Sequence, residues 1–212
     1  MRRETREARG EIQVRALGRV AYEPTWRAMQ AFNQARSSET EDQIWLLEHP
    51  PVFTLGLAGK REHVLDPGGI PVIAADRGGQ VTYHGPGQAI AYVLLDLRRL
   101  GIGAKELVRR LEQAAIDLLA GYAIAGERIA GMPGVYVAGA KIAAVGLRIA
   151  RGCSYHGIAV NADLDLAPFG RIDPCGHPGL ASTRLADLGV RDGVDGVQQS
   201  LSKSLLRCLT PT

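Results

Sequence analysis

Two side chains far apart in the sequence, Cys175 and Lys141, have the chemistry of a nucleophile and its activating cation. Cys175 lies between Arg171 and Pro178, where turn-forming residues and the lack of apolar periodicity predict a loop. Lys141 opens an apolar strand after Gly139. An ammonium about 4 Å from a thiolate stabilises it by roughly 4 kcal/mol at an effective dielectric constant of about 20, so this pair can supply a nucleophile without a histidine. The alternatives are an incidental loop cysteine and a solvated lysine, because the sequence leaves open whether the two residues meet.

A glycine-rich segment, Arg77 to Gln88, is the second candidate for chemistry. Its four glycines and one proline predict either a loop that covers a ligand or a pair of tight turns between strands. The spacing matches neither the dinucleotide-binding motif nor the phosphate-binding P-loop. A nucleotide site of those two kinds is therefore not predicted.

The histidines and remaining cysteines have simpler interpretations. His156 opens an apolar strand and is either a structural histidine or a base. A zinc site built from His84, His156, Cys175 and His177 lacks the usual paired ligand spacing, so no metal is predicted. Cys208 lies on the apolar face of a predicted helix and is expected in the core, and Cys153 lies in a predicted hairpin connection.

Composition limits the remaining classes of function. The chain has 212 residues and a net charge of +3, which is too small to indicate nucleic-acid binding. Three cysteines fit a reducing compartment, and no apolar run reaches the roughly 18–20 residues that span a bilayer. The charged start is not a secretory signal. We therefore expect a cytoplasmic protein with no membrane association, in which residues 1–10 form a flexible N-terminus and residues 11–212 a single domain.

Periodicity predicts an α+β fold with a mixed, mostly antiparallel sheet flanked by helices. The predicted helices are Pro24 to Arg36, Ala104 to Tyr122, a short one near Ser182 to Leu188, and Val197 to Leu209. The predicted strands are Ile12 to Leu17, Gln43 to Glu48, Val72 to Ala75, Ala89 to Leu97, Val135 to Ala138, Lys141 to Ile149 and Tyr155 to Asn161. Short connections make the last three strands a meander, and Pro50 and Pro51 are expected to end the second strand.

Five segments resemble the LipB family of octanoyltransferases. They are Leu47 to Gly56, Arg77 to Gln88, Lys141 to Ile149, Tyr155 to Asn161, and Ile172 to Gly176. The second segment together with Pro174-Cys175-Gly176 is the most specific. One departure is Arg184, which stands between Thr183 and Leu185 where the family pattern has serine, and this puts a hydroxyl contact from that position in doubt.

The resemblance implies a fold similar to the catalytic domain of biotin and lipoate protein ligases, which is related to class II aminoacyl-tRNA synthetases. It implies that Cys175 and Lys141 are catalytic. It also implies substrate contacts from Arg77, Gly78, Gly79, Gln80, Val81, Thr82, Tyr83, His84, Ala144, Val145, Gly146, Gly157, Ile158 and Ala159. The apolar runs Ile142 to Leu147 and Ile158 to Val160 are expected to form a hydrocarbon slot. Backbone N–H groups around Arg77, Gly78, Gly79 or Gly176 are expected to stabilise an oxyanion.

The function that this resemblance implies is the first step of endogenous protein lipoylation. An octanoyl group passes from octanoyl-acyl carrier protein to a Cys175 thioester, and then to the lysine of a lipoyl domain. The implied partners are acyl carrier protein, the lipoyl domains of 2-oxoacid dehydrogenase complexes and the glycine cleavage H protein. No cofactor is implied beyond the phosphopantetheine of the carrier. The alternatives are an ATP-dependent lipoate or biotin protein ligase, a relay amidotransferase between lipoyl-bearing proteins, and a non-catalytic module that binds carrier protein.

Overall fold

A computed structural model describes residues 11–173 and 180–210. Ten strands and four α-helices occur in these ranges. The strands are β1 (Gln13–Arg19), β2 (Gln43–Glu48), β3 (Val52–Leu55), β4 (Val72–Ala74), β5 (Val81–His84), β6 (Gln88–Leu94), β7 (Glu127–Ile129), β8 (Met132–Val137), β9 (Ala140–Ala150) and β10 (Cys153–Asn161). The helices are α1 (Tyr22–Ala35), α2 (Leu97–Leu100), α3 (Ala104–Gly121) and α4 (Gly193–Leu209).

The main sheet has seven strands in the order β1-β2-β6-β10-β9-β8-β7. Only β1 and β2 pair in parallel, and every other neighbouring pair in this sheet is antiparallel. The predicted α+β class with a mostly antiparallel sheet is confirmed. The predicted meander is also confirmed, with β8, β9 and β10 as consecutive neighbours.

Helices cover both faces of the main sheet. On one face, α3 contributes Leu107 and Leu111, and α4 contributes Leu201 and Leu205, to the largest buried cluster. On the other face, Met29 of α1 packs with residues of β2 and β6. Because β6 is covered on both sides, all seven of its residues are buried, which explains its nearly continuous apolar sequence. None of the described helices has the length and apolar character of a membrane span.

A second sheet has three strands in the order β4-β3-β5. Sequence analysis predicted β4, as Val72 to Ala75, but missed β3 and β5. Both β3 and β5 have only four residues. Pro50 and Pro51 follow the end of β2, as expected, but no further strand was predicted before Val72, and the glycines around β5 suggested a loop. Each of these two strands is identified only by its pairing with the other. Phe53 pairs with Tyr83, which lies thirty residues later in the sequence.

Some predicted boundaries also need correction. The strand expected to reach Leu97 ends at Leu94, because Asp96 caps α2 by accepting hydrogen bonds from the N–H groups of Arg98 and Arg99. The short helix expected near Ser182 to Leu188 is a single 3-10 turn, Leu185–Leu188. The division into a flexible N-terminus and one domain stays a prediction, and residues 1–10 lie outside the described residues.

Candidate active site

Lys141 lies at the start of β9 and is buried, with 8% of its surface exposed. Its N–H donates to the carbonyl of Ala181 at 2.8 Å, and its carbonyl accepts from the N–H of Thr183 at 3.0 Å. These two bonds hold residues 181–183, which follow the predicted nucleophile loop in sequence, alongside β9. Cys175, Gly176 and His177 lie outside the described residues, so the distance between the Lys141 nitrogen and the Cys175 sulfur stays a prediction.

A cavity of about 350 Å³ borders Lys141, Ser182 and the glycine-rich segment. The predicted substrate contacts that line it are Arg77, Gly78, Gly79, Gln80, Val81, Thr82, His84, Ala144, Val145, Gly146, Gly157, Ile158 and Ala159. Tyr83 does not line it; the ring packs instead at 5.5 Å from the ring of Phe53 and 5.6 Å from that of Phe169. Tyr83 therefore belongs to the buried cluster of the small sheet.

The cavity wall formed by β9 and β10 includes two cross-strand pairs of small residues. Gly146 pairs with Gly157, and Ala144 pairs with Ala159, in the antiparallel register. A Cβ on Gly157 would lie 2.0 Å from the carbonyl oxygen of Ala91, so only glycine permits this approach of β10 to β6. The predicted hydrocarbon slot needs one correction, because Ile142, Ala143 and Val160 are buried in the core beneath α3 and α4 and do not line the cavity.

Arg77 holds the glycine-rich segment in place. Its guanidinium donates to the hydroxyl and carbonyl of Thr54, and to the carbonyls of Gly78 and Gln80. The N–H of Gly78 donates to the carbonyl of Leu147 at 2.8 Å. In this conformation, therefore, Gly78 is not an oxyanion donor, while Gly79 remains a candidate.

A chain of hydrogen bonds connects His84 to the backbone of Lys141. The Nδ2 of Asn161 donates to the carbonyl of Thr183 at 2.9 Å, and the Nε2 of Gln88 donates to the Oδ1 of Asn161 at 3.0 Å. The Oε1 of Gln88 therefore faces the Nδ1 of His84 at 2.7 Å, which makes Nδ1 the protonated nitrogen. Sequence analysis did not predict this chain, although Gln88 and Asn161 are polar residues on otherwise apolar strands.

The histidines beside the cavity are buried and neutral. Burial lowers the pKa of His84 to about 3 and that of His49 to about 4. Burial also lowers the pKa of His156, although Asp76 opposes the shift. His156 has a φ of 61°, and its Nε2 lies 2.9 Å from Asp76.

Asp76 joins α1 to this group and was also missed by sequence analysis. Burial alone would raise the pKa of Asp76, but hydrogen bonds from His156, Tyr155 and Gln30 hold it well below its usual range. The indole N–H of Trp26 donates to the same carboxylate at 2.7 Å. An ionised Asp76 thus fixes His156, which lines the cavity.

No set of three or more potential metal ligands is arranged for a metal ion within residues 11–173 and 180–210. Two of the four residues considered for zinc, Cys175 and His177, lie outside those ranges.

The chain is similar in sequence to proteins of known families. Residues 21–205 match the family described as the lipoyl protein ligase A/B catalytic domain. The chain is 62% identical to an octanoyltransferase of Thiobacillus denitrificans, an alignment that covers 92% of this chain and 90% of the relative. It is 59% identical to an octanoyltransferase of Aromatoleum aromaticum, covering 93% of this chain and 86% of the relative.

Solved structures share the fold at low sequence identity. A bi-partite lipoate protein ligase from Thermoplasma acidophilum matches with a TM-score of 0.75 at 16% identity, covering 94% of this chain and 84% of that one. The biotin protein ligase of Aquifex aeolicus matches with a TM-score of 0.59 at 12% identity, covering 93% and 70%. The predicted likeness to the ligase catalytic domain is confirmed.

Proposed function

Because this chain belongs to the octanoyltransferase family, we propose that it moves an octanoyl group from acyl carrier protein to a lipoyl-domain lysine through a thioester on Cys175. Octanoyl transfer makes the protein an acyltransferase, and the identity to octanoyltransferases favours this activity over ATP-dependent ligation. The carrier, the covalent intermediate and the roles of Cys175 and Lys141 are the parts that we propose.

The observation that carries the proposal is an apolar cavity beside a buried lysine. The cavity of about 350 Å³ has Ile90, Val145 and Ile158 in its walls. Each buried methylene contributes about 0.8 kcal/mol, so the six methylenes of an octanoyl chain contribute roughly 5 kcal/mol to its binding. A medium-length chain is therefore selected by the depth of the cavity.

In the first half-reaction, the Cys175 thiolate attacks the thioester carbonyl of the donor. The new C–S bond to Cys175 forms, the C–S bond to phosphopantetheine breaks, and Lys141 gives a proton to the departing thiolate. One thioester is exchanged for another, so this half needs no ATP.

In the second half-reaction, the neutral ε-amine of the acceptor lysine attacks the acyl-enzyme. The amide C–N bond forms, the C–S bond to Cys175 breaks, and Lys141 takes back the proton that the amine loses. Cys175 returns to a thiolate beside an ammonium, and the proton count balances over the cycle.

Mass spectrometry after incubation with octanoyl-acyl carrier protein tests the proposal. Wild type gains an octanoyl mass on the peptide containing Cys175 without ATP, and transfers it to an added lipoyl domain. Cys175→Ala gains none, and Cys208→Ala is the matched control that keeps the adduct. A full adduct on Cys175→Ala, or transfer that requires ATP, would refute the mechanism, and unimpaired transfer by Cys175→Ala would also do so.

A further inference from the structure

The side chain of Lys141 lies against two residues of the neighbouring strand β8, Gly134 and Tyr136. Tyr136 is the cross-strand partner of Lys141 in the antiparallel register. Gly134 lies two residues earlier on β8, beyond a register shift between Val135 and Tyr136, and it also lies next to the Lys141 side chain. These two residues form what we call the lysine slot.

Gly134 leaves the space through which the lysine side chain passes. A Cβ on Gly134 would lie 3.2 Å from the Cε and 3.6 Å from the Nζ of Lys141, and 2.5 Å from the carbonyl oxygen of Ala143. Its φ of 126° is also a conformation that side chains disfavour. Any larger residue therefore displaces the lysine, the strand or both.

A buried carboxylate from α3 holds Gly134 in this conformation. The N–H of Gly134 donates to the Oε1 of Glu112 at 2.9 Å. Glu112 is 7% exposed, and its second oxygen accepts from the guanidinium of Arg128 at 3.1 Å. Glu112 and Arg128 are the charged groups joined to the slot from α3 and β7, and their charges offset each other.

Tyr136 presents its ring to the lysine ammonium. The Nζ of Lys141 lies 5.4 Å from the ring centroid, within the roughly 6 Å over which a cation is attracted to an aromatic face. The ring is fully buried, and its hydroxyl donates to the carbonyl of Met132 at 3.2 Å. The ring is thereby anchored in one orientation.

We propose that Gly134 and Tyr136 are positioning residues that hold the Lys141 ammonium at the edge of the cavity. This inference rests on the proposed function, in which that ammonium stabilises the Cys175 thiolate. The aromatic face attracts the cation without neutralising its charge, as a carboxylate partner would. The slot thus directs the Lys141 side chain while its effect on the thiolate is retained.

The test compares Tyr136→Phe with Tyr136→Leu. The rate of Cys175 alkylation by iodoacetamide is followed from pH 5 to 9 by peptide mass mapping, which separates Cys175 from Cys153 and Cys208. Tyr136→Phe keeps the ring and is expected to keep the wild-type pH profile. Tyr136→Leu is expected to react roughly 2- to 30-fold more slowly near pH 6.5, which is the range of one cation–π contact, with its pH midpoint moved upward.

Two further variants make the outcome decisive. Lys141→Ala measures the full effect of losing the ammonium. If the leucine variant fails to fold, pentafluorophenylalanine in place of Tyr136 serves instead, because it keeps the shape of the ring but removes its negative face. If Lys141→Ala moves the profile and the fluorinated or leucine variant matches Tyr136→Phe, the slot inference is overturned and the proposed function stands. If Lys141→Ala leaves the profile unchanged, both fail.

Discussion

Replacing Ala144 with leucine places three more carbon atoms on the cavity wall formed by β9 and β10. Ala144 lines the cavity and pairs across the strands with Ala159. It shares a face with Gly146, where a Cβ would point toward the Arg77 side chain at 3.2 Å. The added isopropyl group therefore occupies space that the acyl chain needs.

The expected effect follows from the methylenes that lose their place. Three methylenes at about 0.8 kcal/mol each give about 2.4 kcal/mol, which is roughly a 60-fold loss in kcat/KM for an octanoyl donor. A butanoyl donor, which is four carbons shorter, is expected to keep its kcat/KM within about threefold, because it does not reach the obstruction.

The assay measures transfer to a lipoyl domain from octanoyl and butanoyl carrier proteins in parallel. Ala28→Leu, which adds the same atoms at an exposed position of α1, is the matched control and is expected to leave both rates unchanged. If Ala144→Leu folds normally and keeps the wild-type ratio of octanoyl to butanoyl transfer, the acyl chain does not lie against Ala144 and the prediction is refuted.

Three other predictions concern stability. Gly157→Ala is expected to cost about 1–3 kcal/mol in urea unfolding, because its Cβ would lie 2.0 Å from the backbone oxygen of Ala91; an unchanged midpoint would contradict the close approach. The pKa values of about 4 for His49 and about 3 for His84 lie below the unfolded value of about 6.5, so the unfolded state binds more protons below that pH. The free energy of unfolding is therefore expected to fall by on the order of 2 kcal/mol per histidine between pH 7 and 5, and a flat profile would argue against neutral burial. Arg77→Lys is expected to cost about 2–3 kcal/mol in thermal unfolding, because an ammonium cannot replace the forked guanidinium contacts; wild-type stability would show that these contacts are dispensable.

Local sequence patterns determined the elements whose partners are close in the chain. The spacing of apolar residues predicted the helix from Ala104 to within one residue of its observed end, and the apolar run Gln43–Glu48 coincides with β2. Short connections predicted the order of β8, β9 and β10. In these cases periodicity and turn chemistry are properties of the chain itself. The segments around Lys141 and Cys175 likewise resemble the octanoyltransferase family in sequence alone.

Tertiary structure alone decided which distant residues meet. The four-residue strands β3 and β5 are stabilised by pairing with each other, and neither has a periodicity long enough to be recognised alone. The hydrogen bond between Gln88 and Asn161 joins residues 73 positions apart, and the one between Gly134 and Glu112 joins residues 22 positions apart. The place of Tyr136 beside Lys141 depends on strand register, which the pairing of whole strands sets. Long-range contacts of this kind leave no regular spacing in the sequence, and they are the contacts that form the cavity and hold its lysine.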